Sequence, residues 1–122
     1  MSKEFGYPAL SPEGERVLTR AHEGEYQAMM MDITAYQMKP GQSRSFLLEG
    51  QEMAVLLVEG AVTFAWDGNE QAARRGSLIT DGAYCLHVCR NTPVTVTAQE
   101  ESEILVQATE NSGSFAAHFY TP

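Results

Sequence analysis

Short apolar runs, broken at close intervals by Gly, Pro, Asp or Asn, constrain this chain more than any other feature. MAVLLVEG (53–60), AVTFAWDGNE (61–70), GSLIT (76–80), AYCLHV (83–88), PVTVTA (93–98) and EILVQAT (103–109) are rich in Val, Leu, Ile, Thr and aromatic residues. Strand formers in runs this short, spaced by turn residues, predict an all-β sandwich or barrel. PVTVTA gives the clearest alternation, with Val94 and Val96 on one face and Thr95 and Thr97 on the other. The unbroken apolarity of MAVLLVEG predicts a strand buried on both faces. Glu59-Gly60 reads as one turn, and Asp67-Gly68-Asn69 as a hairpin. Upstream, YQAMMMDITAYQM (26–38) predicts a strand that stops at Lys39-Pro40-Gly41. PEGERVLTRAHEG (12–24) carries too little helical periodicity to be a helix, and reads as a strand or one short turn. The expected plan is an N-terminal arm with a first strand over 1–25, a β-barrel over 26–110 and a tail over 111–122.

A length of 122 residues with 43% hydrophobic and 20% charged residues suits one soluble domain with a core of its own. Sixteen acidic against eight basic side chains give a net charge of −8. That balance argues against nucleic acid and anionic membrane surfaces, which select basic patches. No apolar run approaches the roughly 20 residues that span a bilayer. MSKEFGYPALSPEGER lacks the basic-then-apolar pattern of a secretory signal, so the expected location is cytoplasmic. Cys85 and Cys89 are four residues apart, about 13 Å in an extended strand, against the roughly 7 Å that a disulfide tolerates. Free thiols are expected.

The stretch GSLITDGAYCLHVCRN (76–91) holds the main candidate for chemistry, His87, flanked by Cys85 and Cys89 on the same strand face. Neighbouring members of that row could share a soft metal ion, but the outer pair is too far apart for all three to do so. No partner for acid–base work is fixed by spacing. The preferred reading is a hydrogen-bonded histidine in the barrel interior beside two small buried thiols. His22 and His118 read as surface or packing residues, and Met29-Met30-Met31 with Met38 as adaptable strand packing. Arg74-Arg75 could clamp a carboxylate, with Arg75 the ligand-binding candidate, although a solvated pair beside a turn is preferred. Glu100, Glu101 and Glu103 read as a solvated turn. No GxSxG, phosphate-loop or GxGxxG pattern is present.

The spacing of Gly76, His87 and Asn91 resembles the second cupin motif, with Gly82 and Tyr84 where that motif has proline and glycine. Gly41 and Gly60 frame the first motif at the required interval, but its three ligand positions hold Leu47, Glu49 and Met53. The resemblance implies a cupin-type double-stranded β-helix, or jelly roll, as a single domain. It leaves only Glu49 and His87 as weak metal candidates, and its register implies that His87 faces the barrel interior with Cys85 and Cys89 on the same side. A tight divalent site takes three or four protein ligands. Glu52 falls one residue from the carboxylate position and is expected on the opposite face.

The segments FGYPALSPEGERVL, GEYQAMMMDITAYQMKPGQS, EGQEMAVLLVEGAVTF and LITDGAYCLHVCRNTPVTVTAQEESEILVQATEN resemble the N-terminal half of the 5-deoxy-glucuronate isomerase family of myo-inositol catabolism. The 5-keto-4-deoxyuronate isomerases share its two-cupin plan. Members of the family are about twice this long and hold their catalytic divalent metal in the C-terminal cupin. The resemblance therefore implies a non-catalytic half with no catalytic residue and no cofactor of its own, inactive alone. Two alternatives are a stand-alone metal-free cupin that binds or senses a small sugar acid through His87, Glu49, Cys85, Cys89 or Arg75, and an oligomerisation module whose edge strands pair in a homodimer.

Overall fold

The structure is a computed structural model that describes residues 10–19, 31–77 and 81–122. Nine β-strands and no helix occur among these residues: β1 Glu15–Thr19, β2 Asp32–Met38, β3 Ser43–Phe46, β4 Gln51–Trp66, β5 Asn69–Arg75, β6 Tyr84–Val88, β7 Val94–Ala98, β8 Ser102–Glu110 and β9 His118–Tyr120. All pairings are antiparallel. A six-stranded sheet runs β1-β2-β8-β4-β6-β9. A second sheet of β3, β7, β4 and β5 shares β4 with the first. This is the all-β sandwich that the strand spacing predicts, in the jelly-roll form that the cupin resemblance implies.

The shared strand overturns one expectation. Glu59-Gly60 is not a turn: β4 runs through it for 16 residues. Its first half pairs with β6 and β8, and its second half with β5 and β7. The crossover falls at a register shift between Leu57 and Glu59. Gly60 has φ 112°, and a Cβ there would lie 2.6 Å from the Ser102 Cα. Only glycine supplies that backbone and that close approach. Ser102 seals the corner: its buried Oγ accepts from the Ala61 N–H at 3.0 Å, and its hydrogen is shared between the Glu100 and Ala61 carbonyls at 2.8 and 3.1 Å. A strand that changes sheets in this way lets one apolar run line both layers.

Nor is 53–58 buried on both faces. Met53, Val55 and Leu57 are buried, while Ala54, Leu56 and Val58 are half-buried. The hairpin at Asp67-Gly68 is as expected, with φ of 45° and 77° and Trp66 paired to Asn69. Two central residues with positive φ are the mark of a type I′ turn, whose twist matches its strands. PVTVTA forms β7 with alternating burial, and PEGERVLTRAHEG supplies a turn and then β1 as far as Thr19, with its residues 20–24 outside the described residues. YQAMMMDITAYQM yields β2 from Asp32 and ends before Lys39-Pro40, whereas its residues 26–30 lie outside the described residues. In GSLIT, Gly76 and Ser77 are not in a strand, and 78–80 lie outside the described residues.

The core lies between the two sheets. Met38, Met53, Val55, Leu57, Leu86, Val88 and Ile104 come from the larger sheet, and Val62, Phe64, Val94 and Val96 from the smaller; each is at most 1% exposed. The tail contributes β9, whose Phe119 stacks on Trp66 at 5.8 Å and meets Phe64 edge-on at 5.4 Å. No helix among the described residues is long and apolar enough to cross a membrane.

Candidate functional site

Strand β6 carries His87, and its alternation decides where that side chain points. Leu86 and Val88 are fully buried in the core, so Cys85 and His87 face the other way. The expectation that His87 faces the barrel interior is therefore corrected: it stands on the outer face of the six-stranded sheet. Cross-strand partners share a face, and His87 is opposite Ala54 on β4 and His118 on β9. Two residues before Ala54 comes Glu52, on the same face.

Glu52 and His87 thus meet, with Oε2 and Nε2 3.4 Å apart. Asn111 donates from Nδ2 to the same carboxylate oxygen at 3.2 Å. The Phe115 ring leans on the imidazole at 4.7 Å between centroids. The His87 and Glu52 side chains remain 33% and 25% exposed, so solvent screens the pair. Cys89, just past the strand, lies 3.6 Å from the Thr92 hydroxyl. A hydrogen bond from the Phe115 backbone, with a smaller one from Thr92, lowers its pKa below the ordinary thiol value. Burial raises that of Cys85. Both thiols are free. The grouping ties the segment after β8 down onto β4 and β6.

The remaining candidates do not join it. Glu49 is exposed on the rim of an open cleft with Asp32, Gln51 and Glu110. Leu47 is 56% exposed, and Met53 lies in the core. The four cupin ligand positions, 47, 49, 53 and 87, therefore do not converge, and these residues do not fit a metal ion. Among the described residues, no three His, Cys, Asp or Glu side chains are placed to hold one. Motif spacing aligns Met53 and His87 on one face, but in the sheet Met53 pairs with Val88. Asn91 does keep a motif-like place, at φ 61° in a turn whose N–H donates to the Leu48 carbonyl.

Arg75 is not part of a solvated pair. It closes β5, donating from Nη1 to the Leu57 carbonyl at 3.1 Å and from Nε to the Asp81 carbonyl at 3.3 Å. Arg74 is solvent-exposed and pairs with Glu100 at 2.9 Å. Of the solvated turn expected at 100–103, Glu101 is exposed, but Glu103 belongs to β8 and pairs with Arg16 at 4.0 Å. Met38 is in the core; His22, Met29 and Met30 lie outside the described residues. Sequence reasoning missed Glu52 as the partner of His87, and Asn111 as the donor to that Glu52 carboxylate. The C-L-H-V-C alternation holds the signal, because it turns Leu86 and Val88 inward.

Residues 7–122 match the KduI/IolB family. Among solved structures, an IolB-like protein from Salmonella typhimurium LT2 is similar at a TM-score of 0.76 and 19% identity, over 94% of this chain and 44% of that one. KdgF from Halomonas sp. aligns at 0.61 and 12% identity, over 87% and 86% of the two chains. A cupin superfamily protein from Desulfitobacterium hafniense DCB-2 aligns at 0.59 and 13%, over 79% and 74%. No curated protein matches. The chain spans less than half the length of the IolB-like protein. It belongs to the KduI/IolB family, with a cupin fold.

Proposed function

We propose that this member of the KduI/IolB family is the non-catalytic cupin of an aldose–ketose isomerase, a half that supports a metal-bearing cupin and does not itself hold substrate. The observation that carries this reading is the filled interior. Met38, Met53, Phe64, Leu86, Val88 and Val96, each at most 1% exposed, occupy the space between the sheets. A sugar acid needs a chamber with converging polar groups, and an apolar packed core offers it only a desolvation cost. The coverage of the IolB-like protein, 44% of its length, agrees with a half. In this role the reaction would be the conversion of 5-deoxy-glucuronate to its 2-keto acid in myo-inositol catabolism, in the cytoplasm, with a divalent metal held by the second cupin.

Reconstitution tests the reading. The chain is mixed with a separately produced, metal-loaded C-terminal cupin of an IolB-like isomerase, and keto-acid formation is followed. A rate above that of the C-terminal cupin alone is expected, and a rate that the chain leaves unchanged would reject the supporting role.

A further inference from the structure

Between β8 and β9 the chain crosses to the edge of β6 through the exposed Ser112, Gly113 and Ser114, and Asn111 opens this crossing. The Asn111 backbone N–H donates to the Gly50 carbonyl at 3.0 Å. Its side chain is held at both ends. Oδ1 accepts from the Gly113 N–H at 2.9 Å, which closes an Asx turn, and Nδ2 donates to Glu52 Oε2 at 3.2 Å. Glu52 in turn meets His87 at 3.4 Å. Ser112 is held through its carbonyl, which accepts from Arg90 Nε at 2.9 Å, while its own N–H donates to no described residue.

These contacts supply what an asparagine needs to cyclise. The Ser112 nitrogen follows Asn111 in the chain, so its attack on the Asn111 side-chain carbonyl is intramolecular and closes a five-membered ring. An N–H already committed to a hydrogen bond would have to give it up first, and this one is uncommitted. Negative charge then builds on Oδ1, where the Gly113 N–H is placed to stabilise it. The nitrogen that must leave is Nδ2. Glu52 touches it and can carry to it the proton that Ser112 gives up, with the His87 imidazole beside the carboxylate.

We propose that Asn111 is a self-modification site, at which the folded chain converts its own asparagine to aspartate or isoaspartate through a succinimide. The bond between the Ser112 nitrogen and Asn111 Cγ forms, the Cγ–Nδ2 bond breaks, and the Ser112 proton leaves with Nδ2 as ammonia. Water then opens the ring at either carbonyl, and no oxidant or cofactor enters. Opening at one carbonyl gives aspartate. Opening at the other gives isoaspartate, whose main chain is longer by one carbon. Either product loses the donor to Glu52 and sets a second carboxylate against it, so the hold of the crossing on β4 weakens. The other two asparagines of the sequence lack this arrangement: Asn69 is followed by Glu70 within β5, and Asn91 by the branched, buried Thr92.

The full chain is kept at neutral pH and body temperature for several weeks, and peptide mass spectrometry follows the mass gain that marks an amide turned into an acid. Conversion is expected at Asn111 ahead of Asn69 and Asn91, and faster in the folded chain than in the same chain held unfolded in guanidinium chloride. Glu52→Gln, which removes the proton carrier, should slow it about tenfold or more and leave Asn69 and Asn91 at their own rates. The comparison with the unfolded chain needs no variant, so it decides the matter if Glu52→Gln does not fold. The proposal is overturned by conversion at Asn111 no faster in the folded chain than in the unfolded one, or by a folded Glu52→Gln chain that converts at the wild-type rate. These outcomes do not depend on isomerase activity, so this proposal and the supporting role fail separately.

Discussion

Glu52 and His87 face each other across β4 and β6 at 3.4 Å, on the side of the sheet turned away from the core. The contact uses a histidine that sits at a metal-ligand position in motif spacing, and pairs it with a carboxylate instead. Because both side chains are partly exposed, the pair is worth little. His87→Ala and Glu52→Ala should each lower stability by about 0.2–1 kcal/mol, and a double-mutant cycle should show a coupling within that range. Urea unfolding of the four proteins measures it.

The core carries far more. Phe64→Ala removes a fully buried ring from the meeting point of the sheets and should cost about 3–5 kcal/mol; Met53→Ala should cost about 2–5 kcal/mol. The midpoint of chemical denaturation should fall accordingly. A loss below about 1 kcal/mol in both would contradict a tightly packed interior.

Gly60 and Gly68 both have positive φ, but their replacements should differ. At Gly68 a Cβ meets nothing within 4 Å, so Gly68→Ala carries only the backbone penalty, about 1 kcal/mol. At Gly60 the same methyl collides with Ser102 as well. Gly60→Ala should therefore cost clearly more than Gly68→Ala, and thermal melts of the two variants rank them.

The two thiols should separate in an alkylation experiment. Hydrogen bonds from Phe115 and Thr92 lower the Cys89 pKa, while burial raises that of Cys85. The thiolate is the reactive form, so Cys89 should react first as the pH is raised towards the ordinary thiol value of 9.0, and Cys85 only above it. Mass spectrometry of iodoacetamide adducts over a pH series reads the order. Equal rates at every pH would contradict the assignment.

Much of this architecture is legible in the residues. The Val–Thr alternation of β7 and the Asp67-Gly68 hairpin are local effects, fixed by period and turn chemistry. The strands without a sequence signal, β3 (SRSF), β5 (NEQAARR) and β9 (HFY), are short or polar and lie at sheet edges, held by pairing with a neighbour. Glu59-Gly60 resembles a turn because glycine signals any unusual backbone, and only the approach of Ser102 reveals a crossover. His87 is instructive for another reason: motif spacing points it inward, whereas the flanking Leu86 and Val88 claim the core by hydrophobicity. Burial of two apolar side chains outweighs a motif spacing whose other ligand positions hold Leu47, Glu49 and Met53.

Turnover by the chain alone tests the central claim most directly. The purified chain, supplied in turn with manganese, iron(II), zinc and nickel, is incubated with 5-deoxy-glucuronate while keto-acid formation is followed. A filled cupin with no converging ligands predicts no conversion above the metal-only control at any chain concentration. Conversion that rises in proportion to the chain would contradict it.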